Sequence, residues 1–176
     1  GKLYNYLLTK FNRLGVPTSI DFKVNIFDSF IAKFLNSVLK LVLCVNDDIS
    51  LATVMKFDGF GFNEEELLEI RKKSDSEFFY EAVLNYKGDL RPRIDAILEF
   101  IDELKGKSTY SKVTDLIEDI SKKVDMNKVL LSKPFGANLL ASYERFVSYV
   151  GGLKYNDNLV DYLLYIQKLN EDKFAD

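Results

Sequence analysis

The sequence predicts an all-α fold, an irregular domain of roughly eight or nine helices. Three observations predict it. Apolar residues recur at helical spacing, i, i+3, i+4, i+7, in one stretch after another. Capping and stop residues stand at the ends of those stretches. Only three prolines and nine glycines occur in 176 residues, too few for the closely spaced turns of a β-sandwich.

Taken in order, a first helix stops at Leu14, because Gly15 and Pro17 follow at once. Val16 to Phe22 is the one segment that reads as extended. From Ile26 to Val45, Phe27, Phe30, Ile31, Phe34, Val38, Leu41, Val42 and Val45 form a buried helical stripe. Asp47 or Asp48 caps a short helix running to about Met55. Asn63 caps the next, with Glu64, Glu65 and Glu66 in its first turn and Arg71, Lys72 and Lys73 at its other end, each sign matched to the helix dipole.

Pro92 fits the first turn of a helix whose stripe is Ile94, Ile97, Leu98, Ile101 and Leu104. Val113, Leu116, Ile117, Ile120 and Val124 make another, capped by Ser108 or Thr109. Leu139, Leu140, Tyr143, Phe146, Val147 and Val150 make a third, closed by Gly151 and Gly152, and Leu159, Val160, Leu163, Leu164 and Ile166 a fourth. Phe30, Phe34, Val38, Leu41, Ile97, Ile101, Leu116, Ile120, Phe146, Val150 and Leu163 are expected in the core. Tyr86, Tyr110 and Tyr155 fall outside the stripes and are expected at the surface.

Composition excludes several chemistries. The chain has no histidine, which removes a Ser-His-Asp triad, a Cys-His pair and every His-ligated metal site. Its single cysteine, Cys44, forms no internal disulfide and fits a reducing compartment. The net charge of −3 provides no overall positive field for nucleic acid. No apolar run approaches the roughly 18 residues of a spanning helix, and the N-terminus lacks a signal peptide's regions. A cytoplasmic location is therefore expected, with no membrane partner. Gly1 in place of Met suggests a chain processed, tagged or cut from something longer.

Short motifs mostly dissolve on inspection. Gly106-Lys107-Ser108-Thr109 ends like a phosphate loop, but Ile101 stands where that motif needs glycine, and the preceding segment is helical. Glu103-Leu104-Lys105 matches a nuclease fragment but lies at a helix end. Asp47-Asp48, Asp115, Glu118 and Asp119 read as caps and solvated faces. No catalytic or metal-binding residue is assigned.

Asp58-Gly59-Phe60-Gly61-Phe62-Asn63 is different. Two glycines precede a helix N-terminus, whose free N–H groups suit a phosphate. A tight interhelical turn packed by Phe60 and Phe62 explains the same residues, and both readings stand.

Longer stretches carry a resemblance. Leu7 to Pro17 resembles the "L…L…GIP" segment of superfamily 1 helicases of the UvrD and AddA/RecB type. Phe27 to Val45 resembles the helix that follows it there. Asn46 to Met55 is similar to the "NP..DIPLaaVLrS" signature, and Phe60 to Arg71 to its "iggltEEELaeIR" continuation. Phe78 to Val83 resembles "sfyeal", and Ala137 to Leu140 with Tyr143 and Glu144 resembles "ANL..L…A..yE". Departures are Asn46 without its proline, Ser50 for Pro, Lys56 for Arg, and Gly136 for the Arg before Ala137.

The resemblance implies a remnant of motor domain 2A over residues 1–17 and a helical 2B-like subdomain over 18–176. It implies a parent ATP-dependent DNA helicase, of a helicase/nuclease kind, in repair and recombination. ATP and magnesium are implied for that parent, and no cofactor for this stretch, because the Walker loop, the magnesium box and the arginine fingers lie in other segments. The implied partners are duplex DNA through weak backbone contact, the remaining helicase domains, and a second nuclease/helicase chain. In some members a Gly-Ile-Gly-type turn grips the duplex. The resemblance implies that Gly59, Phe60 and Gly61 are expected in that place here, with Lys56 and Asn63 beside them. A free-standing helical protein-interaction module is the rival expectation.

Overall fold

A computed structural model describes residues 26–174. Among these residues there are nine complete α-helices, a further helical stretch at residues 26–28, one 3₁₀ turn and no strand. The helices are α1 (Phe30–Leu43), α2 (Asp48–Lys56), α3 (Glu64–Lys72), α4 (Phe79–Asn85), α5 (Arg91–Lys107), α6 (Val113–Val124), α7 (Met126–Leu131), α8 (Gly136–Gly151) and α9 (Leu159–Phe174). The 3₁₀ turn, Lys154–Asp157, joins the last two. The expected extended segment at Val16 to Phe22 lies outside the described residues, as does the first helix stop.

Helix α1 is the axis of the domain. Ten of its fourteen residues are buried, so it is covered on nearly every side rather than along one stripe. It packs against α2, α5, α6, α8 and α9. The periodic stretch from Ile26 is broken at Ser29: residues 26–28 are helical, and α1 starts afresh at Phe30, where the Ser29 hydroxyl accepts the Ala32 amide at 3.1 Å and caps it. A buried polar pair ties it to α9. The Tyr162 hydroxyl of α9 donates to the Asn36 side-chain oxygen at 2.7 Å, which satisfies a buried amide. Burial pushes the Tyr162 hydroxyl far above the usual tyrosine range, so it stays a donor.

The other caps follow the sequence closely, with two changes. Asp47 accepts from the Ser50 amide at 3.0 Å and caps α2. Its neighbour Asp48 reaches across the fold, and its two oxygens accept the Phe79 and Tyr80 amides at 2.9 Å each. One aspartate thus caps its own helix and the other opens α4. Neither Ser108 nor Thr109 caps α6. The Ser108 hydroxyl donates to Lys105 O at 2.8 Å and ends α5, whereas the Asp115 carboxylate accepts the Lys112 amide at the start of α6. The physical reason is one of length, since α5 runs to Lys107 and uses Ser108 as its own terminus.

The core contains nine of the eleven residues expected there. Phe30 is 43% exposed, because the first residue of α1 projects past its neighbours over Phe57, and Leu163 is only partly buried. Tyr86 corrects the surface expectation. It is buried, its hydroxyl donating to Glu69 at 2.8 Å. Tyr155 is half-buried and stacks on Tyr165 at 4.7 Å, and Tyr110 is exposed as expected.

Candidate nucleic-acid interface

The segment from Phe57 to Asn63 is a compact turn between α2 and α3, built on the core. Phe57 stacks on Phe34 of α1 with ring centroids 3.7 Å apart. Its carbonyl accepts the Phe60 amide at 2.8 Å and the Gly61 amide at 2.7 Å, while Phe62 N–H donates to Met55 O at 3.0 Å. Gly61 has φ +68°, a left-handed conformation that favours glycine. At Gly59 a Cβ would overlap the side chain of Val124, with Val124 Cγ1 at 2.8 Å. Both glycines are required by packing and backbone geometry.

The same hydrogen bonds decide which amides face outward. Those of Phe60, Gly61 and Phe62 are engaged by backbone carbonyls, and that of Asn63 donates to Glu66 Oε1 at 3.0 Å. Asn63 Oδ1 in turn accepts the Glu66 amide at 2.8 Å, completing a capping box. The Glu64 and Glu65 amides of the first turn have no acceptor among the described residues. The Asn63 amide, helped by Arg93, holds the Glu66 carboxyl below its ordinary value. A lowered carboxyl stabilises the fold above the unfolded pKa near 4.5, and that contribution is lost as pH falls through the lower folded value.

The fold brings cations to this turn that the sequence leaves far away. Lys56, from α2, lies 3.8 Å from Glu64. Arg93, from α5, pairs with Glu66, donates to Phe60 O at 3.2 Å and lies 4.2 Å over the Phe62 ring. Lys133, from the α7–α8 connection, pairs with Asp58. In the same connection Phe135 is 82% exposed with φ 58°. Lys56, Gly59, Phe60, Gly61 and Asn63 therefore share one surface with Arg93 and Lys133. The cations there are matched by acids, so the surface carries little net charge. Arg93 and Lys133 have no sequence signal, because each is remote from the turn in the chain.

The remaining motifs take ordinary structural places. Gly106 and Lys107 are helical, and Lys107 Nζ lies 3.2 Å from Asp119. Glu103 and Lys105 are exposed on the same helix. Among the described residues no cluster of three or more acids or cysteines is placed to hold a metal ion, and no helix is long and apolar enough to cross a membrane. We expect ATP turnover by this chain to be indistinguishable from buffer, and Lys107→Ala to change nothing in a phosphate-release assay. DNA-stimulated hydrolysis that vanishes in this variant would contradict the helical geometry.

An apolar groove of about 750 Å³ runs between the end of α1 and α9. Leu43, Val160 and Leu164, each roughly half exposed, line it.

No protein-family model matches the chain. Curated relatives do, and those named here are AddA-type chains of the ATP-dependent helicase/nuclease. The chain is 31% identical to the one from Lactobacillus acidophilus over 150 residues, 81% of this chain and 12% of that protein. The one from Oceanobacillus iheyensis is 27% identical over 145 residues, 77% of this chain and 12% of that protein. The one from Listeria monocytogenes is 32% identical over 121 residues, 64% of this chain and 10% of that protein. The chain thus spans about an eighth of the length of these relatives and is homologous to one segment of them.

Proposed function

We propose, with that homology as premise, that the chain is the 2B-like accessory subdomain of an ATP-dependent DNA helicase/nuclease that acts in repair and recombination. Residues 1–17 are read as the end of motor domain 2A, and 18–176 as the helical unit that follows. The observation that carries this reading is the similarity to one short segment of AddA-type proteins, joined to an all-helical fold. In the parent, ATP, magnesium and the nuclease chemistry belong to other segments. This unit contributes contacts.

The first contact is with duplex DNA. A backbone phosphate meets the Glu64 and Glu65 amides at the head of α3, beside Gly59, Phe60, Gly61 and Asn63, while Lys56 and Arg93 exchange their carboxylate partners for it. It reads no base sequence. Because each cation must leave an acid, binding is weak, near the roughly 10⁻⁴ M end of non-specific affinities at physiological salt. The second contact is protein. The groove beside Leu43, Val160 and Leu164 seats a neighbouring domain or a second helicase/nuclease chain.

Two measurements test this. The natural reading frame should extend in both directions and carry a phosphate-loop motif upstream, and a frame confined to these 176 residues would overturn the reading. In the parent, Lys56→Gln should slow duplex unwinding about threefold to tenfold, the loss of one phosphate contact, while single-strand-stimulated ATPase stays unchanged. Lys56 is the position to vary, because bulk at Gly59 collides with Val124 and disturbs the fold itself.

A further inference from the structure

At the opposite end of α3 from the glycine turn lies a second, smaller concavity of about 410 Å³. Its lining includes Lys73, Ser74, Asn85, Lys87 and Gly88 over a floor made by Tyr86, with no carboxylate among the lining residues. We infer that this pocket is a second phosphate site for the DNA backbone. The inference rests on the duplex reading above and goes beyond it.

The pocket is built rather than incidental. Tyr86 is buried, and its hydroxyl donates to Glu69 Oε2 at 2.8 Å. Glu69 Oε1 lies 3.8 Å from Lys73 Nζ, and that ammonium also lies 5.3 Å from the Tyr86 ring centroid. Lys73 is thus aimed by two groups yet tightly paired with neither. A Cβ on Gly88 would overlap the Tyr86 hydroxyl and come within 3.1 Å of Lys73 Nζ, so glycine is what lets the ammonium reach the loop. The Lys87 ammonium and the Lys87 and Gly88 amides have no acceptor among the described residues. One wall therefore supplies the Lys87 ammonium and two amides without acceptors of their own, beside a Lys73 ammonium only loosely paired with Glu69, and these are donors a phosphate oxygen can use. Glu69 is the opposing charge, and the Tyr86 hydroxyl holds one of its oxygens.

Spacing connects this pocket to the first site. Nine residues of α3 separate the two, about 14 Å at 1.5 Å per residue. A duplex laid against α3 can present phosphates of one face to both ends.

The test uses the 176-residue chain and a fluorescein-labelled duplex, with anisotropy read across a salt series. The double variant Lys73→Gln/Lys87→Gln should weaken binding about tenfold at low salt, as expected for charge-assisted hydrogen bonds lost. It should also reduce the slope of log K against log salt by about 0.9, one phosphate's worth. Lys168→Gln, an exposed charge on α9, should leave the slope unchanged, and all variants should keep the wild-type urea midpoint. A wild-type chain that binds while the double variant keeps its slope would overturn the pocket and leave the duplex reading intact. An equal loss in Lys168→Gln would overturn it also, as a general charge effect. A wild-type chain that binds no duplex at any salt would overturn the duplex reading, and the pocket with it.

Discussion

Gly136→Leu should abolish folding of this domain at room temperature. Gly136 is buried at the first position of α8, and its α-carbon is pressed on the backbone of α7. A Cβ there would stand 2.6 Å from Leu130 O and 2.7 Å from Leu131 Cα. Both are main-chain atoms, so no rotamer change relieves the contact. Even Gly136→Ala should cost at least about 3 kcal/mol, the upper range for overpacking, and leucine adds three carbons to the same collision. Set against a typical stability of about 5–15 kcal/mol, the alanine cost alone removes a large fraction, and the further collision of leucine is expected to exceed what is left. Urea denaturation followed by far-UV circular dichroism checks it. A Gly136→Ala variant with a wild-type midpoint would show that α7 and α8 separate freely.

Phe34→Ala should destabilise the domain by about 3–5 kcal/mol, a loss of about 2 M in the urea midpoint at a slope of about 2 kcal/mol/M. Phe34 is fully buried in α1, stacked on Phe57 and tilted against Phe60 at 6.3 Å. Its removal leaves a cavity beneath the turn that carries Gly59 and Gly61. The effect should therefore appear locally before it appears globally. Hydrogen exchange at the Phe60, Gly61 and Phe62 amides should accelerate more than exchange in α8, because those three donate to carbonyls held in place by Phe57 and α2. Uniform acceleration across all helices would mean that the turn is supported by something other than this stack.

The helices are legible in the sequence because most have a private stripe and a private cap, and both are local signals. Asn63 with Glu66 is the clearest case, three residues apart and hydrogen-bonded in both directions. What is illegible comes from pairs far apart in the chain. The Asp48 carboxylate serves helix α4 from 31 residues away. Tyr86 carries no stripe, yet it is buried with its hydroxyl donated to Glu69, 17 residues earlier. Ser108 is ambiguous because a serine between two helices suits either end, and only the length of α5 decides.

The candidate site divides in the same way. The glycine turn and Lys56 are close together in sequence and can be named from it. Arg93 and Lys133 reach the turn through α5 and the α7–α8 connection, and no spacing rule announces them. Gly136 shows the converse. It departs from the arginine of the resembling helicases, and the backbone of α7 shows why a side chain has no room there.

The bond between Asn36 and Tyr162 spans 126 positions of sequence. A ribosome adding about 5–20 residues per second needs roughly 6 to 25 s to supply the second partner after the first. Throughout that interval the side of α1 that α9 will cover is wetted by solvent or held by a chaperone. Synthesis speed between these two codons therefore sets how long the nascent domain stays sticky, and a pause late in this stretch would be more hazardous than one before α1.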